Sequence, residues 1–170
     1  MHYNLDLAPT LAELLGIRPS AKWDGQSYAK TLLEGADCGR DYLVLSQCAH
    51  VCQRAVRFDN WIYTRTYHDG YHLFPNEMLY DLENDPHEQV NLASDRKDIC
   101  QAAVYKLTEW HDDMMSSMPD AIDPLWTVMR EGGPLHARGH LRAYARFLRA
   151  TGRAHAVELL KERHPGEQVD

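Results

Sequence analysis

The chain has 170 residues, 44% hydrophobic and 25% charged, a balance that suits one globular domain with its own core. Its net charge of −7 argues against nucleic-acid binding by the chain as a whole, and no apolar run approaches the roughly 20 residues needed to span a bilayer. The charge is uneven: the first 117 residues carry 10 Lys/Arg against 18 Asp/Glu, and the stretch from Met118 onward carries 8 against 7.

Asp6 is placed to cap a helix over Leu7 to Leu15, with Pro9 tolerated in the first turn and Gly16 as its stop. Leu7, Leu11, Leu14 and Leu15 fall on one face of it. A loop with a turn at Asp24-Gly25 leads to a short helix, Tyr28 to Leu33, capped by Ser27 and ended by Gly35. The period then changes to that of strands. Tyr42 to Ser46 reads as a buried strand, and Gln53 to Phe58 and Trp61 to Tyr67 as two more, joined by a tight hairpin at Asp59-Asn60. After a polar and aromatic loop from His68 to Asn76, Met78 to Leu82 is a fourth strand. Arg96 to Met115 is a long helix with Ile99, Ala103, Leu107, Trp110 and Met114 along one face. Pro124 to Arg130, a stripe of Leu141, Tyr144, Ala145 and Leu148 ended by Gly152, and Ala154 to Glu162 add three helices, the last two forming a helical hairpin. The expected fold is α+β: a small antiparallel sheet of about four strands packed on a long helix, with an accessory C-terminal helical tail. The expected division is 1–117 for the sheet-bearing part and 118–170 for the tail.

Two stretches carry a family resemblance. Asp6-Leu7-Ala8-Pro9-Thr10-Leu11, followed by Leu14-Leu15-Gly16 and Asp24-Gly25-Gln26-Ser27, resembles the D-x-x-P-T-L…L-x-G…D-G-x-S segment found late in arylsulfatase-type sulfatases of the alkaline-phosphatase-like superfamily. Glu77-Met78-Leu79-Tyr80-Asp81-Leu82-Glu83-Asn84-Asp85-Pro86-His87-Glu88-Gln89-Val90-Asn91-Leu92 resembles their E-L-Y-D-L-x-x-D-P-x-E-x-x-N-L signature. Between them, Arg54 to Tyr63 is similar to the family's R-t-x-r-y-K-L-I strand pair. Order and spacing agree from about Asp6 to Ala93; the segment from about Pro119 onward has no counterpart in the family pattern. The second motif also reads physically as a structural corner. Tyr80 and Leu82 alternate with Asp81, Asp85-Pro86 forces an extended exit, and Asn91 ties its own loop.

The resemblance implies a sulfuric ester hydrolase whose chemistry lies elsewhere. Family members use a Cys or Ser in a C/S-x-P-x-R motif, converted to formylglycine, beside a Ca²⁺ or Mg²⁺, both in the N-terminal catalytic domain. None of Cys38, Cys48, Cys52 and Cys100, and no Ser, is followed by x-Pro-x-Arg. The expectation is that no catalytic residue and no metal ligand lies in this chain, and that the isolated chain is inactive. The implied partners are that N-terminal domain and, in the full enzyme, a sulfated small molecule or sugar. Apolar surface exposed without the large domain would favour a homo-oligomer.

Candidate substrate contacts cluster in Arg65-Thr66-Tyr67-His68-Asp69-Gly70-Tyr71-His72. Family loops of this subdomain face the active-site cleft, and Arg65, His68 and His72 suit sulfate or sugar hydroxyls. His50 is a fourth candidate. Cys48, His50 and Cys52 supply only three zinc ligands on a short loop, too few for a structural site. His111-Asp112-Asp113 reads as a solvated helix face, and Arg138, Arg142, Arg146, Arg149 and Arg153 as a basic stripe suited to acidic groups on a partner. The four cysteines are expected to be reduced thiols of a cytoplasmic protein, and Met1 to Asp6 lacks the pattern of a signal peptide. The competing reading is a stand-alone, non-enzymatic binding or assembly module.

Overall fold

A computed structural model of the chain describes residues 1–120, 122–167 and 169. Its elements are α1 (Leu7–Leu14), α2 (Ala29–Glu34), β1 (Tyr42–Gln47), β2 (Cys52–Phe58), β3 (Trp61–His68), β4 (Glu77–Asp81), α3 (Lys97–Ser117), α4 (Pro124–Arg130), α5 (Leu141–Ala150) and α6 (Ala154–Arg163). They form two compact units, Met1–Leu43 with Arg57–Asp59, and Val44–Val56 with Asn60–Asp170. Among the described residues, no helix is long and apolar enough to cross a membrane.

In the first unit, the sulfatase-like motif is a polar lock. Asp6 is fully buried, yet it does not cap α1 through its side chain. Its carboxylate instead accepts from the amides of Tyr3 (2.7 Å) and Gln26 (2.8 Å) and from both terminal nitrogens of Arg40. Burial raises the pKa of this acid, but the Arg40 bond and the two amides more than offset it and hold the carboxyl below its usual range. One turn on, the Thr10 hydroxyl donates to the Asp6 carbonyl (2.6 Å) and accepts from the Tyr28 amide (3.1 Å). Ser27 accepts from the Ala29 amide at the start of α2 (3.1 Å). Gly25 passes so close to Leu5 that a Cβ there would lie 2.2 Å from the Leu5 carbonyl oxygen. The helix α1 therefore turns Pro9, Thr10 and Ala12 inward. Its leucine face points out: Leu7, Leu11, Leu14 and Leu15 are 41–74% exposed, as are Leu32 (60%) and Leu33 (71%) near the end of α2.

The open antiparallel sheet, most of whose residues belong to the second unit, has the order β1-β2-β3-β4. Alternation of β-branched and aromatic residues gives β3 its pairing with β4, in register Trp61 to Asp81, Tyr63 to Leu79 and Arg65 to Glu77. Tyr63 and Leu79 are both fully buried, so this pair sits at the centre of the sheet's inner face. The strand β1 is an edge strand, and Leu45 to Gln47 are exposed where the sequence suggested a buried strand. The second sulfatase-like motif closes the sheet. Asn91 accepts from the amides of Leu79 and Ala93 (3.0 Å each) and donates to the Glu77 carbonyl (3.1 Å), while Asp85 accepts from the Val90 amide (2.8 Å). These bonds make it a structural corner.

The helix α3 buries Cys100, Ala103 and Leu107; Met114, at the end of the expected apolar face, is exposed. It is tied to the sheet by the Arg54 guanidinium over the Trp110 ring (4.9 Å) and by Lys97 with Glu77 (3.7 Å). The tail belongs to the same unit as the sheet. Its core of Ala137, Leu141, Ala145, Leu148, Val157 and Leu160 encloses Tyr71, a residue of the β3–β4 connection.

Candidate functional site

The chain segment leaving β3 reverses direction through Gly70, Tyr71 and Leu73, all at positive φ (57°, 69° and 59°). Gly70 must be glycine: a Cβ would lie 2.0 Å from the His50 carbonyl oxygen. This reversal separates the histidines suggested by the sequence into two groups.

His68, at the end of β3, points inward and is 9% exposed. Its Nδ1 accepts from the Gly70 amide (3.0 Å), and its ring lies 4.7 Å from that of His164 between centroids. Burial, then repulsion from His164, pulls its pKa below the usual histidine value against the pull of Asp69 and Glu167. Asp69 anchors the tail. It accepts from His164 Nε2 (2.9 Å), the Tyr71 amide (2.9 Å) and Arg163 (3.0 Å). Burial opposes the charge on Asp69, but these bonds overcome it and hold the pKa at about 2. Tyr71 donates its hydroxyl toward Glu167 and the Ala137 carbonyl; burial and Glu167 push its pKa up. His68, His164 and Glu167 line a cleft of about 680 Å³ together with Glu131, Arg138 and Arg142.

His50 and His72 are exposed and each lies near His136, at 5.7 and 6.1 Å between ring centroids. Arg65 is elsewhere. It borders a second cleft of about 240 Å³ with Arg54, Tyr67, His111 and Trp126. Tyr67 and Trp126 meet edge to face at 5.1 Å. Beneath them Arg54 and Asp123 form a buried two-bond pair, 2.9 Å for each bond. His111 faces this cleft with Nε2 3.3 Å from Asp123, so only its neighbours Asp112 and Asp113 form the solvated helix face expected for all three. Burial raises the Asp123 pKa less than the Arg54 bond and the Leu125 amide lower it, so the acid stays ionised.

The structure thus brings His68 and Asp69 of the singled-out loop together with two residues that sequence reasoning passed over, His164 and Glu167, and it places His136 near both His50 and His72. The one local signal was an acid directly after a strand-end histidine. The bonds from Asp69 and Tyr71 to the tail span 94 to 96 residues. Within the basic stripe, Arg138 pairs with Glu131 (2.8 Å) and Arg153 stacks over Phe147 (5.2 Å).

A curated Delta 4,5-hexuronate-2-O-sulfatase of Bacteroides thetaiotaomicron is 35% identical to this chain over 144 residues, covering 78% of this chain and 29% of that protein. The chain corresponds to the C-terminal portion of a sulfatase. A solved 2-O glycosaminoglycan sulfatase is 31% identical, covering 74% of this chain and 25% of its own, with a TM-score of 0.43. A protein solved in complex with its substrate D-glucosamine-2-N,6-O-disulfate shares the fold at 17% identity and a TM-score of 0.53, covering 69% of this chain and 25% of its own. No known family's sequence profile matches the chain. The chain spans between a quarter and a third of the length of these relatives, and both of the stretches that resemble family signatures serve as structural locks.

Proposed function

We propose that this chain is the C-terminal subdomain of a sulfatase acting on a sulfated saccharide, and that it forms one wall of the substrate cleft rather than supplying the reacting groups. The observation that carries this reading is the 35% identity to a hexuronate 2-O-sulfatase over 78% of the chain. The chemistry fits: no Cys or Ser stands in a C/S-x-P-x-R context, so the formylglycine and its Ca²⁺ or Mg²⁺ belong to an N-terminal catalytic domain. The outward leucine face of α1 and α2 is the kind of apolar surface a second domain covers. In the complete enzyme His50 and His72, exposed beside His136, offer donors and acceptors to sugar hydroxyls, and exposed Arg65 offers a fork to a sulfate or carboxylate.

The test is a chimera in which this chain replaces the matching portion of the Bacteroides 2-O-sulfatase, assayed for sulfate release from an unsaturated 2-O-sulfated disaccharide. The chimera is expected to turn over, and the 170-residue chain alone to release no sulfate. His50→Ala, His72→Ala and Arg65→Ala should each raise KM more than they lower kcat. Sulfate release by the chain alone, or three variants with unchanged KM, would refute the proposal.

A further inference from the structure

Among the described residues, one group of histidine, cysteine and acidic side chains has its ligand atoms gathered closely enough to hold an ion. It comprises His68, His164 and Glu167, whose ligand atoms lie within 4.8 Å of one another. The spacings inside it are informative. Glu167 Oε1 is 3.5 Å from His164 Nδ1 and 3.9 Å from His68 Nε2. Both are too long for hydrogen bonds, which cluster at 2.7–3.2 Å. They approach the edge of a tetrahedron around zinc, about 3.4 Å when each ligand sits about 2.1 Å from the metal.

The surroundings favour the same reading. Asp69 receives the Nε2 proton of His164 at 2.9 Å. That bond fixes the tautomer and leaves the Nδ1 lone pair turned to Glu167, as carboxylates behind zinc-binding histidines do. The second oxygen of Glu167 is held by the Tyr71 hydroxyl. Gly133 packs against the His68 ring so tightly that a Cβ would lie 2.4 Å from it, which keeps that ring in place. His68 is the weakest of the three ligands. Its Nδ1 now accepts from the Gly70 amide, so ligation through Nε2 requires the ring proton to move to Nδ1 and gives up that bond.

We propose that His68, His164 and Glu167 bind one zinc ion, tying the end of β3 to the end of α6. Two imidazoles and one carboxylate form a three-ligand set. The fourth position opens on the cleft with Arg138 and Arg142 in its wall, where it admits water or an anionic oxygen. The site uses none of the cysteines and is independent of the sulfatase reading.

The experiment is calorimetric titration of the metal-free 170-residue chain with ZnCl₂, with circular dichroism of each variant to establish that it is folded. The expected result is one zinc per chain. Glu167→Gln, which keeps an acceptor for Tyr71, and His164→Gln should each weaken binding at least tenfold, and Asp69→Asn, behind His164, by about 10- to 100-fold. His136→Ala should leave it unchanged. Cobalt(II) in place of zinc should give the visible bands of a tetrahedral site without thiolate-to-metal charge transfer. Absence of one-to-one zinc uptake by the folded chain would overturn the proposal. So would charge-transfer bands from Cys48 or Cys52, or loss of binding in His136→Ala while Glu167→Gln binds normally.

Discussion

Removing the Asp123 carboxylate strands a buried charge in the second unit. Arg54 and Asp123 are 6% and 7% exposed, and two parallel bonds of 2.9 Å join them. Among the described residues, Asp123→Ala leaves the guanidinium with only the Ser46 hydroxyl (3.1 Å) and the face of Trp110. An uncompensated charge at that depth costs about 3–5 kcal/mol. Asp123 also accepts from the Leu125 amide at the start of α4 (3.0 Å), a cap worth about 1 kcal/mol. The two losses share one side chain and do not simply add, so the expected total is about 4 kcal/mol. Urea unfolding at pH 7, followed by tryptophan fluorescence, measures it; Trp110 and Trp126 both lie beside the pair. The double variant Arg54→Met with Asp123→Ala should recover most of the loss, because no charge then remains buried. A loss under about 1 kcal/mol for Asp123→Ala, the size of a surface pair, would refute the reasoning.

Gly25→Ala should destabilise the first unit by about 1–3 kcal/mol, because its Cβ collides with backbone that Asp6 and Thr10 hold in place; urea unfolding checks it. Acidification should weaken the fold in two windows. The folded pKa of His68 lies below the ordinary 6.5, so its contribution is present above 6.5 and is lost as pH falls below it, when the unfolded chain gains the proton first. The folded pKa of Asp69 is about 2 against 3.8, so about 2 kcal/mol is present above pH 3.8 and lost between 3.8 and 2. Thermal unfolding across pH 2–8 reads both windows, and Asp69→Asn should shrink the lower one, to which Asp6 and Asp123 also contribute. The isolated chain should self-associate through its exposed leucines, and Leu15→Glu with Leu33→Glu should shift it toward monomer in sedimentation velocity.

The strands were legible in the sequence because each carries its own period and its own stop. Trp61 to Tyr67 alternates and Asp59-Asn60 turns the chain, whereas the last strand stops at Asp81, whose carboxylate accepts the Glu83 and Asn84 amides, ahead of the Asp85-Pro86 expected to stop it. The Asn91 corner was legible because an asparagine bonds to backbone close by in the chain. The direction of α1 was not. Four leucines on one helix face suggest the buried side, but Asp6 and Thr10 fix the helix by bonds to residues 18 to 34 positions away, and the leucines turn out. The cluster around His68 was hidden for the same reason. His164 and Glu167 follow α6 in the tail, and only packing of Tyr71 into the α5–α6 core brings them to Asp69. His111 was misread because its partner Asp123 lies beyond the end of its own helix.

The most direct test of the central claim is to read the coding sequence immediately upstream of the Met1 codon. A C-terminal portion of a sulfatase requires an open frame running back several hundred codons to a C/S-x-P-x-R motif. An in-frame stop just before Met1, with no neighbouring gene encoding such a domain, would contradict the account and leave a free-standing protein whose function must be sought in what it binds.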